Sequence, residues 1–208
     1  MRNTWFSFCN YKRSALTVSI LGLSLLLPAC YFSREYVVMT ATDAPAVSPV
    51  NDWLYRGPQP AEDFLAALRH KGIKTVVDFR DEPILNEREK KGAESLGMKY
   101  VGLPWNIKEP VDPALLDRFF EVLDERENRP VFMHCKHGRD RTGVMATLAL
   151  MRYERLSEGA ARGIALETIH PTPLRQGDVN EKIKFFLKER PDAVCDDCSA
   201  VFPKSSPD

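Results

Sequence analysis

Val131-Phe132-Met133-His134-Cys135-Lys136-His137-Gly138-Arg139-Asp140-Arg141-Thr142-Gly143 is the stretch on which the fold turns. Its opening residues are apolar and read as a strand buried in a core. The middle is short and polar, and from Arg141 a strongly apolar run to residue 155 reads as a buried helix. A strand that passes through a tight loop into a helix turns the loop N–H groups inward at the positive end of the helix dipole, which makes an anion nest. Gly138 allows a backbone turn that a side chain would obstruct.

The residue types suit that geometry. A nest of this kind favours a thiolate over a thiol, so Cys135 at its base is the candidate nucleophile, able to attack phosphorus and form a phosphocysteine. Arg141, six residues on, carries a planar fork that matches two non-bridging phosphate oxygens. Thr142 is placed to hydrogen-bond the cysteine sulfur, and His134 to orient the loop. Lys136, His137, Gly138 and Arg139 complete the expected substrate-binding set. The alternative is a buried core cysteine followed by an incidental helix-start charge. It fails to account for His, Cys, Gly, Arg and Thr all falling at the needed spacing.

Outward from this stretch, the chain alternates strands and helices. Residues 53–56, 73–79 and 99–103 read as strands, and residues 61–71 and 86–96 as helices ended by Gly72 and Gly97. A loop over residues 104–113 opens a helix with Leu115, Leu116, Phe119, Phe120 and Leu123 inward. Helices are expected again at 157–169 and 179–189, separated by Pro171 and Pro173. This order predicts a single α/β domain with a mainly parallel central sheet flanked by helices. Of the exposed signals, the charged run from Glu87 to Lys91 reads as a solvated face. Arg56 and Arg80 read as partners of Glu82 or Glu87 more than as cleft residues, and His170 as a helix end.

Composition sets the compartment more than the partner. The 208 residues carry 29 basic and 29 acidic side chains, so no net field favours nucleic acid. Arg2, Lys12 and Arg13 precede an apolar run over residues 15–27, too short for a comfortable span of about 20 residues. It ends in Leu27-Pro28-Ala29-Cys30, which resembles the lipobox of bacterial lipoproteins. The expected organisation is a signal peptide over 1–29, a tether over 30–50, the catalytic domain over 51–190 and a tail over 191–208. Cys30 would carry lipid and anchor an exported, periplasmic or cell-envelope enzyme to the membrane, with cleavage to a non-lipidated form as the alternative. Cys195 and Cys198 form a lone C-x-x-C without a second ligand pair, which favours a local disulfide over zinc in an oxidising compartment.

His134-Cys135-x5-Arg141-Thr142-Gly143 resembles the signature of the protein tyrosine and dual-specificity phosphatase superfamily. Leu54-Tyr55-Arg56-Gly57, Val76-Val77-Asp78-Phe79-Arg80 and Leu103-Pro104 follow that family's chain order over residues 53–170. In length and layout the chain is similar to the small exported bacterial members. The resemblance implies no metal, no cofactor, and a shallow cleft open to a phosphorylated protein or small molecule.

One departure concerns the general acid. The family places an Asp in the loop after Leu103-Pro104, where this chain has Lys108, followed by Glu109, Pro110 and Asp112. The Lys-Glu-Pro run resembles plant and fungal members that cleave inositol pyrophosphates, whose phosphate leaving group needs less protonation. Asp140 resembles an acidic residue that myotubularin-like phosphatases carry inside the loop, but is equally a helix-start carboxylate. Asp140 and Asp112 are the candidate acids. Lys136, His137 and Arg139 resemble the loop of lipid phosphatases, or simply deepen the anion potential. Three functions follow: a phosphatase of phosphotyrosine, with phosphoserine or phosphothreonine as further substrates; a phosphatase of inositol (pyro)phosphates or phosphoinositides; or an inactive phosphate-binding module, disfavoured because Cys135 and Arg141 are both present.

Overall fold

The computed structural model describes residues 47–167 and 176–194. Five strands, β1 (Ser48–Pro49), β2 (Leu54–Gly57), β3 (Thr75–Asp78), β4 (Lys99–Gly102) and β5 (Val131–His134), form one sheet in the order β1-β2-β5-β3-β4. Only the β1–β2 pairing is antiparallel. Among the described residues seven α-helices accompany it: α1 (Glu62–His70), α2 (Pro83–Ser95), α3 (Ala114–Asp124), α4 (Asp140–Glu154), α5 (Glu158–Glu167), α6 (Gln176–Glu189) and α7 (Pro191–Val194). The expected α/β domain with a mainly parallel sheet is the fold observed.

The two-residue period of the strands sorts the core into two layers. Val76 and Phe132 pack with Phe64, Leu65, Leu68 and Ala93 of α1 and α2. Leu54, Val77, Val131 and Met133 face the larger cluster built on α3, α4, α6 and α7. Helix α4 is apolar on every side, as a helix between layers must be, and its residues 142–151 are all buried. Each fully buried aliphatic or aromatic side chain here contributes roughly 1.5–3 kcal/mol of burial.

The register brings four strand ends level. Gly57 and Asp78 both pair with His134, and Gly102 pairs with Asp78. The segments that leave β2, β3, β4 and β5 therefore emerge at one carboxyl edge, where open parallel sheets bind ligands.

Several boundaries differ from expectation. Val47 and Val50 are buried and Ser48–Pro49 pairs with β2, so residues expected in the tether belong to the fold. A two-residue strand is too short to show a period. Helix α2 begins at Pro83 rather than residue 86, because proline's fixed φ suits a first helical turn. Residues 191–194, expected to belong to the tail, form helix α7 and bury Val194 completely. Cys9, Cys30, His170, Cys195 and Cys198 lie outside the described residues. Among the described residues no helix is long and apolar enough to cross a membrane.

Candidate active site

Cys135 follows β5 directly and is 3% exposed. The loop from Cys135 to Arg139 has its carbonyls turned toward the protein. Lys136 O accepts from Gln59 N at 3.3 Å, and Gly138 O and Arg139 O accept from Arg56. Among the described residues, the N–H groups of Lys136 through Arg141 donate to no protein acceptor. A run of unpaired N–H groups at the start of a 15-residue helix is an anion nest. Gly138 holds the turn at φ +66, and a Cβ there would lie 2.4 Å from both Gly57 C and Gly57 O. No side chain fits at that position.

Arg141 is fixed from the opposite side. Its Nη1 donates to Phe79 O at 2.9 Å, Trp105 O at 3.0 Å and Asp81 Oδ1 at 2.9 Å. Nε and Nη2 take no acceptor among the described residues, which leaves one edge of the fork for an anion. Sequence reasoning missed Asp81. The available signal was a carboxylate just past the end of an inner strand, at the edge where the ligand loop emerges.

The other loop residues fall as follows. Lys136, His137 and Arg139 are exposed, and Lys136 Nζ lies 3.9 Å from Glu82 Oε1. The Thr142 hydroxyl is buried without a hydrogen-bond partner among the described residues, so the expected bond to the Cys135 sulfur is not made. His134 is fully buried, with Nδ1 3.3 Å from Cys135 O. A carbonyl oxygen can only accept, so Nδ1 carries the hydrogen in that contact and ties the ring to the loop.

The loop after β4 contributes Trp105 and Ile107 to the core, while Lys108, Glu109 and Asp112 are exposed. Asn106 organises it, accepting from Lys108 N at 3.1 Å and donating to Glu109 Oε1 at 3.1 Å. Asp112 Oδ1 accepts Ala114 N–H at 3.0 Å at the start of α3, and Oδ2 lies 4.0 Å from Arg118 Nη2. A groove of about 220 Å³ is lined by Asp81, Trp105, Asn106, Glu109, Asp112 and Arg118, among others. Asp140 stands at the first position of α4, half-buried, with Oδ1 buried and unpartnered among the described residues.

Beneath the loop lies a buried polar cluster. Arg80 pairs with Asp78 at 2.6 Å and with Glu89 at 2.5 Å, and Tyr100 donates to Asp78 Oδ2 at 2.7 Å. His134 Nε2 is 2.7 Å from Glu89 Oε1, close enough for an ionic contact but without hydrogen-bond alignment. The partners expected for Arg80, Glu82 or Glu87, are replaced by Asp78 and Glu89, because a fully buried guanidinium needs fully buried counter-charges. Arg56 likewise meets loop carbonyls rather than Glu82 or Glu87. Asp78, Glu89 and His134 are the one grouping of three candidate metal ligands among the described residues, with ligand atoms within 4.8 Å of one another. Arg80 already bridges the two carboxylates and supplies the cation.

Burial pushes the Asp78 carboxyl up, but hydrogen bonding from Arg80, the charge of His134 and the Tyr100 hydroxyl outweigh it and hold the group below its ordinary value. Its stabilising effect is thus complete above the unfolded carboxyl pKa of about 3.9 and fades as pH falls through the lower folded value. Asp78→Asn is expected to cost about 3–5 kcal/mol in denaturant unfolding at pH 7, because it leaves buried charge under-compensated. The gap to wild type should narrow on acidification below about pH 4. A gap that stays constant to pH 2 would contradict the ionic assignment.

Comparison with known proteins places this site in a family. The family model described as "DSP-PTPase phosphatase fused to NAD+ Kinase" matches residues 32–178. A curated relative, the dual specificity protein phosphatase TpbA of Pseudomonas aeruginosa (strain UCBPP-PA14), is 27% identical over 158 residues, 73% of this chain and 68% of TpbA. The solved structure of P. aeruginosa TpbA in complex with pTyr is similar at TM-score 0.55 and 23% identity, covering 65% of this chain and 80% of that one. The catalytic core of the PP-IP phosphatase Siw14 of S. cerevisiae is similar at TM-score 0.56 and 18% identity, covering 72% and 95%. At such identities the two solved structures speak for the fold. The family match takes in most of the chain and the whole of the cysteine loop, and the chain belongs to this family of dual-specificity phosphatases.

Proposed function

We propose that the chain hydrolyses phosphate monoesters, with phosphotyrosine as the leading substrate class and phosphoserine or phosphothreonine as further ones. The run of unpaired N–H groups around Cys135, closed by the free edge of Arg141, carries this reading. In the first step Cys135 Sγ attacks phosphorus, and the bond to the ester oxygen breaks with its electron pair on that oxygen, which takes up a proton. In the second step water attacks the phosphocysteine, the P–S bond breaks, and inorganic phosphate leaves with the thiolate restored. The test is phosphate release from phosphopeptides, inositol phosphates and pyrophosphates, and phosphoinositides. TpbA's pTyr complex supports the first class. Release from inositol compounds alone would overturn it.

The proton donor is proposed to be Asp140. Asp112 is engaged at the start of α3, whereas Asp140 adjoins Arg141 and has an oxygen without a partner among the described residues. Asp140→Asn is expected to lower kcat for phosphotyrosine about 10²–10³-fold, and far less for an aryl phosphate with an activated leaving group. Asp112→Asn and Glu109→Gln are the comparisons. An equal loss on both substrates would make Asp140 a positioning residue for Arg141. A second reading, a phosphatase of inositol pyrophosphates like Siw14, rests on exposed Lys108 standing where the family's acid is expected. Substrate-independent behaviour in all three variants would favour it.

The leader supports export with Cys30 as a lipid-bearing membrane anchor. Cys30→Ala is expected to move the protein from the membrane fraction to the soluble exported fraction. Wild type found soluble after cell fractionation would overturn the acylation.

A further inference from the structure

Arg56 is 3% exposed at the end of β2, and three backbone carbonyls accept hydrogen bonds from its guanidinium. Nη2 donates to Gly138 O at 2.7 Å and, more weakly, to Arg139 O at 3.4 Å. Nη1 donates to Ala165 O in α5. These contacts span 82, 83 and 109 residues of sequence. A buried guanidinium is a costly way to tie a strand to a helix if packing alone were needed.

Peptide planarity gives the arrangement a chemical meaning. In a trans amide the C=O and N–H point in opposite directions. Holding Gly138 O toward Arg56 turns the N–H of Arg139 the other way; Arg139 O, held mainly by Gly143 N–H at 2.7 Å and only weakly by Arg56, turns the N–H of Asp140 likewise. Both N–H groups belong to the unpaired run described above. Gln59 N on Lys136 O acts likewise on the N–H of His137. The end of β2 is thus the outer half of the loop: Arg56 and Gln59 hold carbonyls, and Gly57 and Pro58 lie where a Cβ on Gly138 would stand. A Cβ at Gly143 would crowd Leu166 Cδ2 at 3.0 Å, while Arg56 Nη2 would lie at ordinary contact distance, 3.7 Å.

We propose that Arg56 is a positioning residue for the phosphate cradle, setting the inward orientation of the Arg139 N–H group through Gly138 O and coupling it to α5 through Ala165. This rests on reading the loop as the phosphate site. An ammonium cannot span Ala165 O and the two loop carbonyls at once. Each lost charge-assisted hydrogen bond is worth about 1.5–3 kcal/mol, which corresponds to roughly 10–150-fold in an equilibrium constant.

The experiment measures vanadate affinity and steady-state kinetics on an aryl phosphate for wild type, Arg56→Lys, Arg56→Met and Ile164→Ala. Ile164 packs on the core beside Ala165 and serves as a stability control. For folded Arg56→Lys, vanadate binding is expected to weaken about 10- to 100-fold, with KM raised and kcat lowered together. Ile164→Ala should lose stability with vanadate affinity unchanged. If Arg56→Met does not fold, the Lys variant still decides the question. Vanadate affinity and KM at wild-type values in folded Arg56→Lys, with only the active fraction reduced, would overturn the positioning role. Wild type that fails to bind vanadate at all would instead overturn the phosphate-site reading, and this inference with it.

Discussion

Cys135→Ser is expected to lower turnover of any accepted phosphate ester by at least about 10⁴-fold while the protein stays folded and still binds vanadate or phosphate. The expectation follows from the division of labour proposed above for the loop. Anion binding belongs to backbone N–H groups and to the edge of Arg141, none of which the substitution touches. Nucleophilicity belongs to one sulfur, and a serine hydroxyl at the same place is far weaker because it is not ionised near neutral pH. The check is kcat on an aryl phosphate together with calorimetric binding of vanadate. Residual activity above a few per cent in protein free of wild type would remove the covalent route. Loss of binding along with turnover would show that the sulfur also holds the loop open.

Arg141→Lys should lower kcat about 10²–10³-fold, the usual cost of removing a preorganised donor to developing negative charge. The structure adds a reason beyond the lost fork. Nη1 of Arg141 joins Phe79 O at the end of β3, Trp105 O in the loop after β4, and Asp81. A lysine has one nitrogen for the work of three, so either the anchoring or the anion contact must go. The loss should therefore appear in both KM and kcat. Rates within about threefold of wild type would show that the N–H groups suffice without the clamp.

The order of elements could be read in advance because the core strands are short apolar runs and the helices carry apolar stripes. Phe64, Leu65 and Leu68 on α1 and Leu115, Leu116, Phe119, Phe120 and Leu123 on α3 are buried as their spacing predicts. The signature loop was legible for a different reason: its geometry is local, with Cys135, the turn glycine Gly138 and Arg141 within seven residues. What could not be read is what comes from far along the chain. Arg56, Asp81 and Glu89 reach the site from β2, from beyond β3 and from α2, and a single charged residue gives no periodic signal of its partner. Sequence proximity suggested Glu82 and Glu87 as partners for the arginines. Tertiary packing supplied Asp78, Glu89 and backbone carbonyls instead. The general acid stayed open for the same reason, since loop carboxylates are told apart by what they touch.

Helix α4 has consequences for how such an enzyme can diverge. Residues 142–151 are buried without a break, and the helix begins at the catalytic loop itself. A volume change anywhere along that rod lies within about three turns of Arg141, so inherited variation there is filtered twice, once for folding and once for turnover. The rim is under no such double filter: Lys108, Glu109, His137 and Arg139 are exposed and pack against little. Descendants of this chain would be expected to keep the rod nearly frozen and to explore new phosphate esters by rewriting the rim, so that a chemistry set by its interior is handed on unchanged while its choice of substrate drifts at the surface.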